Sequence, residues 1–263
     1  MPIRTVTATR YVTPLREGGS LPAIVEADDD GLYVLKFRGA GQGTKALIAE
    51  LVAGELARAA GLPMPEIVFV RLDGELARSE PDAEIQDLIR ASVGTNLALD
   101  YLPGSVTFDP LAETAPPALA SSIVWFDAFV TNVDRTPLNA NLLVWHRALW
   151  LIDHGASLYF HHHWSNAMDN AQKPFALIRD HVLLPFADDL AAADARMVAA
   201  LTPQVVGDVV ALIPDDWLAD DPAFAGPDPR GAQRRAYRDW LVARLEAPRA
   251  FVEEAVRARA AHV

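Results

Sequence analysis

The chain has 263 residues, 51% of them hydrophobic, a formal net charge of −12 and no cysteine. That length allows one large or two smaller lobes with real cores; the missing cysteines exclude disulfides, a thiol nucleophile and thiolate metal sites, and point to a cytoplasmic protein. An acidic surface repels phosphate backbones, so nucleic acid is not an expected partner, and with no long uncharged apolar run and no signal core in MPIRTVTATRYV, neither a membrane span nor export is expected.

Residues 5–13, TVTATRYVT, are rich in β-branched and aromatic types and predict a strand. Gly18, Gly19 and Ser20 follow in a turn that suits either an ordinary hairpin or a backbone approach to phosphate oxygens. Two further strands are predicted at 23–26 and 32–37, around a turn at 28–31. Lys36 lies in the later strand among apolar neighbours, where its ammonium is costly unless paired or solvated. It reads either as an exposed edge lysine or as a phosphate-contacting lysine braced by an acid of the next helix.

That helix is predicted over 43–60, stopped by Gly61 with Pro63 and Pro65 beyond. Glu50 and Glu55 compete as the partner of Lys36. Glu50, near the middle, is the better placed, whereas Glu55 can pair with Arg58 three residues on. A strand at 66–72, a short helix or irregular insert at 82–91 and a strand at 96–102 come next. A strand leaving a small sheet for helical sequence is where a two-lobed kinase would have its hinge. On that topology the adenine of ATP would be expected against the backbone of Leu99, Asp100, Tyr101 and Leu102.

Residues 118–131 are apolar on more than one side and predict a buried central helix. It runs into Val133-Asp134-Arg135; Asn139 stands five residues after Asp134, and two short apolar runs, 142–145 and 149–152, deliver Asp153-His154-Gly155. Kinase-type phosphoryl transfer asks for this set: an Asp to orient the acceptor hydroxyl and take its proton, then an Asn and a second Asp for Mg²⁺. The D-x4-N spacing alone reads more readily as a surface turn. The strand pair that follows favours a functional Asp153. His161, His162 and His163 invite a metal reading, but adjacent histidines point apart, and a polar-aromatic loop near the cleft mouth is expected. Residues 191–200, 202–212 and a long 228–260 segment are expected to be helical scaffold.

In this order, Lys36, Glu50, Asp134, Asn139 and Asp153 resemble the HipA-like kinases, a branch of the protein-kinase-like fold, over about residues 18–154. AELVAGELARAAGLPMP is similar to that family's N-lobe helix, VDRTPLNANLL to its catalytic loop and LIDHG to its metal-binding segment. The resemblance implies an α+β, two-lobed fold: a β-rich N-lobe over 1–98, a hinge over 99–104 and a helical C-lobe over 105–263. It implies ATP and Mg²⁺ as cofactors and transfer of the γ-phosphoryl to an unidentified hydroxyl acceptor, a Ser or Thr of a protein. Lys36 would meet the phosphates near Gly18, Gly19 and Ser20, Glu50 would brace it, Asp134 would be the base, and Asn139 and Asp153 the metal ligands. Ser20 stands where some relatives autophosphorylate.

Three departures accompany it. Thr136 stands where the family and the phosphoinositide kinases commonly have His, Asn141 is a second amide within reach of the metal, and the chain, shorter than the HipA toxins, is expected to lack their extra N-terminal subdomain. A small-molecule or lipid kinase and a nucleotide-binding pseudokinase are the alternatives.

Overall fold

A computed structural model describes residues 2–15, 21–41, 43–218 and 221–261. Its first part is built from β1 (Thr5–Pro14), β2 (Ala23–Ala27), β3 (Leu32–Lys36), β4 (Ile67–Leu72) and β5 (Gly94–Asp100), which close into a barrel in the order β1-β2-β3-β5-β4. Neighbours are antiparallel except β1 and β4, where Thr5, Val6 and Thr7 pair in parallel with Phe69, Val70 and Arg71. Period-two alternation divides every strand between two environments. Val6, Val25, Tyr33, Leu35, Val68, Val70 and Ala98 share one core with Ile85 and Ile89 of α2 (Ala83–Ala91). The residues between them belong elsewhere: Ile67, Leu97 and Leu99 join a second core, and Val34 and Lys36 face a cleft.

That second, larger core carries the helices. α1 (Thr44–Ala59) follows Gly43 and ends before Gly61, both with positive φ (65° and 76°) that glycine adopts without a Cβ clash. Its Leu47, Ile48, Leu51, Val52 and Leu56 pack into the same cluster as α3 (Pro117–Val130). α3 has Pro117 in its first turn and ends at Thr131 in the left-handed region (φ 55°), which turns the chain toward Asp134. Burial of Trp125, Phe126 and Phe129 stabilises α3 by roughly 2–3 kcal/mol each.

Beyond β5 the chain forms a small sheet, β6 (Val106–Thr107), β7 (Leu142–Trp145) and β8 (Ala148–Leu151), and then α4 (Ala167–Ala171), α5 (Leu190–Ala200), α6 (Pro203–Val210), α7 (Pro229–Leu245) and α8 (Ala250–Ala260). The long helical segment expected over 228–260 is two helices. Glu246 takes extended backbone (φ −71°, ψ 143°), and Pro248 offers no N–H and disfavours helix at Ala247. Apart from α4, the chain between β8 and α5 is a series of short 3-10 turns, yet Leu158, Phe160, Ile178, Leu183 and Leu184 anchor it in the core. Among the described residues no helix is long and apolar enough to cross a membrane.

Candidate active site

Alternation along β3 turns Leu35 into the barrel and Lys36 out of it, toward α1. There the Lys36 Nζ donates to Glu50 Oε2 and to Asp153 Oδ1, at 2.6 Å each. Glu50 is fully buried, and its Oε2 also accepts the backbone N–H of His154 at 2.8 Å. Glu55 lies elsewhere, paired with Arg58 at 2.9 Å. The charges of the trio are mutually dependent. Burial pushes the Glu50 carboxyl above its ordinary range against the pull of Lys36. Burial alone would lower the Lys36 ammonium, but Asp153 and Glu50 outweigh it and hold it protonated. Lys36 in turn keeps the Asp153 carboxyl below the usual range.

The second arm of the site is the loop after α3. Asn132 Oδ1 accepts the Asp134 N–H at 3.1 Å, and Asp134 Oδ2 accepts from Asn139 Nδ2 at 2.8 Å and from Asn141 Nδ2 at 3.3 Å. A tight turn joins them, closed by Thr136 N–H to the Asn139 carbonyl (3.0 Å) and Asn139 N–H to the Thr136 carbonyl (3.1 Å). Asn139 is exposed, whereas Asn141 is buried at the start of β7. Asn141 and Asp153 both have left-handed backbone, φ 48° and 55°. Asn and Asp tolerate that region better than other side-chain-bearing residues.

A cleft of about 1290 Å³ lies between the two arms. Lys36, Leu99, Asp100, Tyr101, Leu102, Asp134, Asn139 and Asp153 all line it, as do Asn141 and Gly41, while Glu50 reaches Lys36 from behind. Val34, Leu142 and Ile152 supply apolar walls near residues 99–102. Gly18, Gly19 and Ser20 fall outside the described residues. The donor set fits a hard divalent cation: carboxylate and amide oxygens at a cleft where Glu50, Asp134 and Asp153 outnumber the one ammonium of Lys36.

Sequence reasoning missed the support beneath these residues. Arg135 is fully buried and pairs with Asp127 of α3 at 2.6 Å, and His181 Nε2 lies 2.9 Å from the same carboxylate. Burial alone would raise the Asp127 carboxyl, but Arg135 and His181 outweigh it and hold it well below the usual range. The signal was a lone acid inside VWFDAFV, since a carboxylate within an all-apolar helix needs a buried partner. None of the three consecutive histidines lines the cleft. His161 is buried, with Nδ1 3.0 Å from the Tyr237 hydroxyl and its carbonyl accepting from Lys45 Nζ at 2.7 Å. Among the described residues no group of three or more His, Cys, Asp or Glu could hold a metal, so any metal here relies on the amides as well.

The model of the HipA-like kinases matches residues 9–231. The chain belongs to the HipA-like kinase family. Its fold is similar to that of CtkA, a Helicobacter pylori proinflammatory kinase, with a TM-score of 0.53 and 12% identity over 100% of this chain and 99% of that one. It is also matched by a Golgi casein kinase (TM-score 0.46, 11% identity, 98% of this chain and 72% of that one). A Golgi casein kinase with Mn/ADP bound gives a TM-score of 0.44 at 12% identity, over 95% of this chain and 74% of that one. No curated protein matches the sequence. At 12% identity the CtkA likeness speaks for the fold, an α+β kinase-like one, and membership of the HipA-like family speaks for phosphotransfer.

Proposed function

We propose that this HipA-like kinase uses ATP and Mg²⁺ to phosphorylate a hydroxyl, that of a Ser or Thr in a protein. The observation that carries the reading is the Lys36 ammonium held between Glu50 and Asp153 at 2.6 Å each, in the cleft that Asp134 also lines. We read residues 1–98 as the N-lobe, 99–104 as the hinge and 105–263 as the C-lobe. The adenine then lies along Leu99, Asp100, Tyr101 and Leu102, between the apolar walls of Val34, Leu142 and Ile152. The missing cysteines agree with a reducing compartment, and the cytoplasm is our reading of the location.

Each residue then has a task. Lys36 donates to phosphate oxygens, and Glu50, fixed by the His154 N–H, keeps the ammonium aimed at them. Asp153 and Asn139 would hold the metal; Asn141, buried beside the same Asp134 oxygen, is the second candidate amide. Asp134 orients the acceptor hydroxyl and takes its proton as the new O–P bond forms and the bond to the ADP oxygen breaks. The metal, when bound, would partly neutralise the charge of the phosphoryl group that ATP supplies.

The test is ATP turnover by the purified protein with mass spectrometry of the products, alongside Asp134→Ala and Asp153→Ala. Magnesium-dependent phosphate on the protein or an added acceptor, lost in both variants, is expected. Near-normal rates in either variant would contradict the assignment.

A further inference from the structure

We infer that Arg135 is a positioning residue that fixes both metal-side segments of the cleft with one guanidinium; the inference rests on the kinase reading above. Its side chain is fully buried. Nε donates to Asp127 Oδ2 at 2.6 Å, Nη1 donates to the carbonyl of Asn141 and, at 3.2 Å, to that of Ile152, and Nη2 lies 3.1 Å from His154 Nε2. Arginine has no acceptor, so it donates there too, and His154 carries its own proton on Nδ1.

These partners bracket the two left-handed residues of the site. Arg135 binds Asn141 (φ 48°) at its own carbonyl and grips Asp153 (φ 55°) on both flanks, at Ile152 and His154. Left-handed backbone is unfavourable for a residue with a side chain and persists only where its surroundings impose it. Arg135 is that surrounding for both residues. The far end of the strut is anchored as well: Asp127 is held by His181 at 2.9 Å and by Asn132 at 3.1 Å, and Asn132 also accepts the Asp134 N–H. The residues proposed as base and metal ligands therefore share one buried reference point. Lysine cannot replace it, because a single ammonium does not span a carboxylate, two carbonyls and an imidazole in four directions.

The direct test compares wild type, Arg135→Lys, His154→Leu and Arg244→Lys in the full chain. Arg244 is the control, as deeply buried and donating to the carbonyls of Ala128, Phe129 and Ala171, away from the cleft. Two quantities are read: the magnesium concentration that half-saturates ATP binding, by calorimetry, and amide exchange of peptides over 139–143 and 151–156 without ligand. Loss of an outer support to a metal ligand weakens metal binding by about tenfold or more. Arg135→Lys should raise the magnesium midpoint by that factor, leave metal-free ATP affinity unchanged and speed exchange in both peptides.

His154→Leu, a milder change, should move the same readings less, and it decides the matter if Arg135→Lys does not fold. Arg244→Lys should lower thermal stability without moving the magnesium midpoint. An unmoved midpoint in the first two variants, or an equal rise in Arg244→Lys, overturns the inference. Wild type whose ATP binding ignores magnesium would overturn the kinase reading itself, and with it any role of Arg135 toward a metal.

Discussion

Replacing Lys36 by methionine tests the energetic centre of the cleft. The ammonium stands 2.6 Å from each partner, and side-chain exposure is 12% for Lys36, 0% for Glu50 and 44% for Asp153. The contact with half-exposed Asp153 is screened by solvent and counts for about 1 kcal/mol or less. Glu50 has no such relief. Removing its partner leaves an uncompensated buried carboxylate, at a cost of about 3–5 kcal/mol. For a chain of this size ~3 kcal/mol lowers the unfolding midpoint by roughly 6–12 °C. The pH dependence follows from Glu50. Burial already raises its pKa against the opposition of Lys36, so the rise is larger in the variant. An acid whose folded pKa is raised contributes its stability below the unfolded pKa and loses it as pH climbs through the folded one. Lys36, with its own pKa raised, stays charged across the neutral range, and the lowered Asp153 stays ionised there, so neither alters the trend. The deficit of Lys36→Met should therefore widen from about pH 5 to about pH 8, read by calorimetric unfolding. A shift under about 2 °C, or one of the same size at both values, would refute a charged, buried Glu50.

Asp134→Asn and Asp153→Asn should each lower turnover by about 10²-fold or more while the unfolding midpoint holds, which a steady-state assay beside a thermal melt will check. Asn139→Ala and Asn141→Ala distinguish the two amides: whichever holds the metal raises the magnesium requirement of turnover, and the other leaves it in place. Glu55→Ala removes only a partly exposed pair with Arg58, and a melt should find a loss of about 0.5 kcal/mol or less. Asp127→Asn strands the buried Arg135 and should cost about 3–5 kcal/mol at neutral pH. Because the folded Asp127 pKa is depressed, its contribution is present above the ordinary value of 3.8 and lost as pH falls below it, so the variant and wild type should converge in acid.

The strands were legible because β-branched residues at period two recur between turns, and α1 because Gly43 and Gly61 bracket good helix formers. The same alternation made Lys36 conspicuous, and its helix offered only two acids. Closure of the barrel was not legible: the parallel pairing of Thr5, Val6 and Thr7 with β4 joins residues far apart in sequence, and nothing local specifies it. The irregular chain between β8 and α5 hid its burial for a similar reason, since Leu158, Phe160 and Leu183 follow neither helical nor strand periodicity. Arg135 was read only as part of the segment VDRTPLNANLL. Its partners Asp127, Asn141 and the Ile152–His154 pair come from three separate segments, and only the fold brings them to one guanidinium.

Lys36 and Glu50 belong to different bodies of packing. The strand that carries Lys36 is secured through Tyr33 and Leu35 to the barrel interior, whereas the helix that carries Glu50 is secured through Leu47, Leu51 and Leu56 to the core of α3. Their contact is thus a latch across a seam. The seam is packed as well as latched, because Ile67, Leu97 and Leu99 of β4 and β5 join the core of α1, so a swing of the strands over α1 would strain that packing together with the 2.6 Å bond. The place of the Lys36 ammonium is thus set from both sides of the seam at once, by the barrel through β3 and by the helical core through α1.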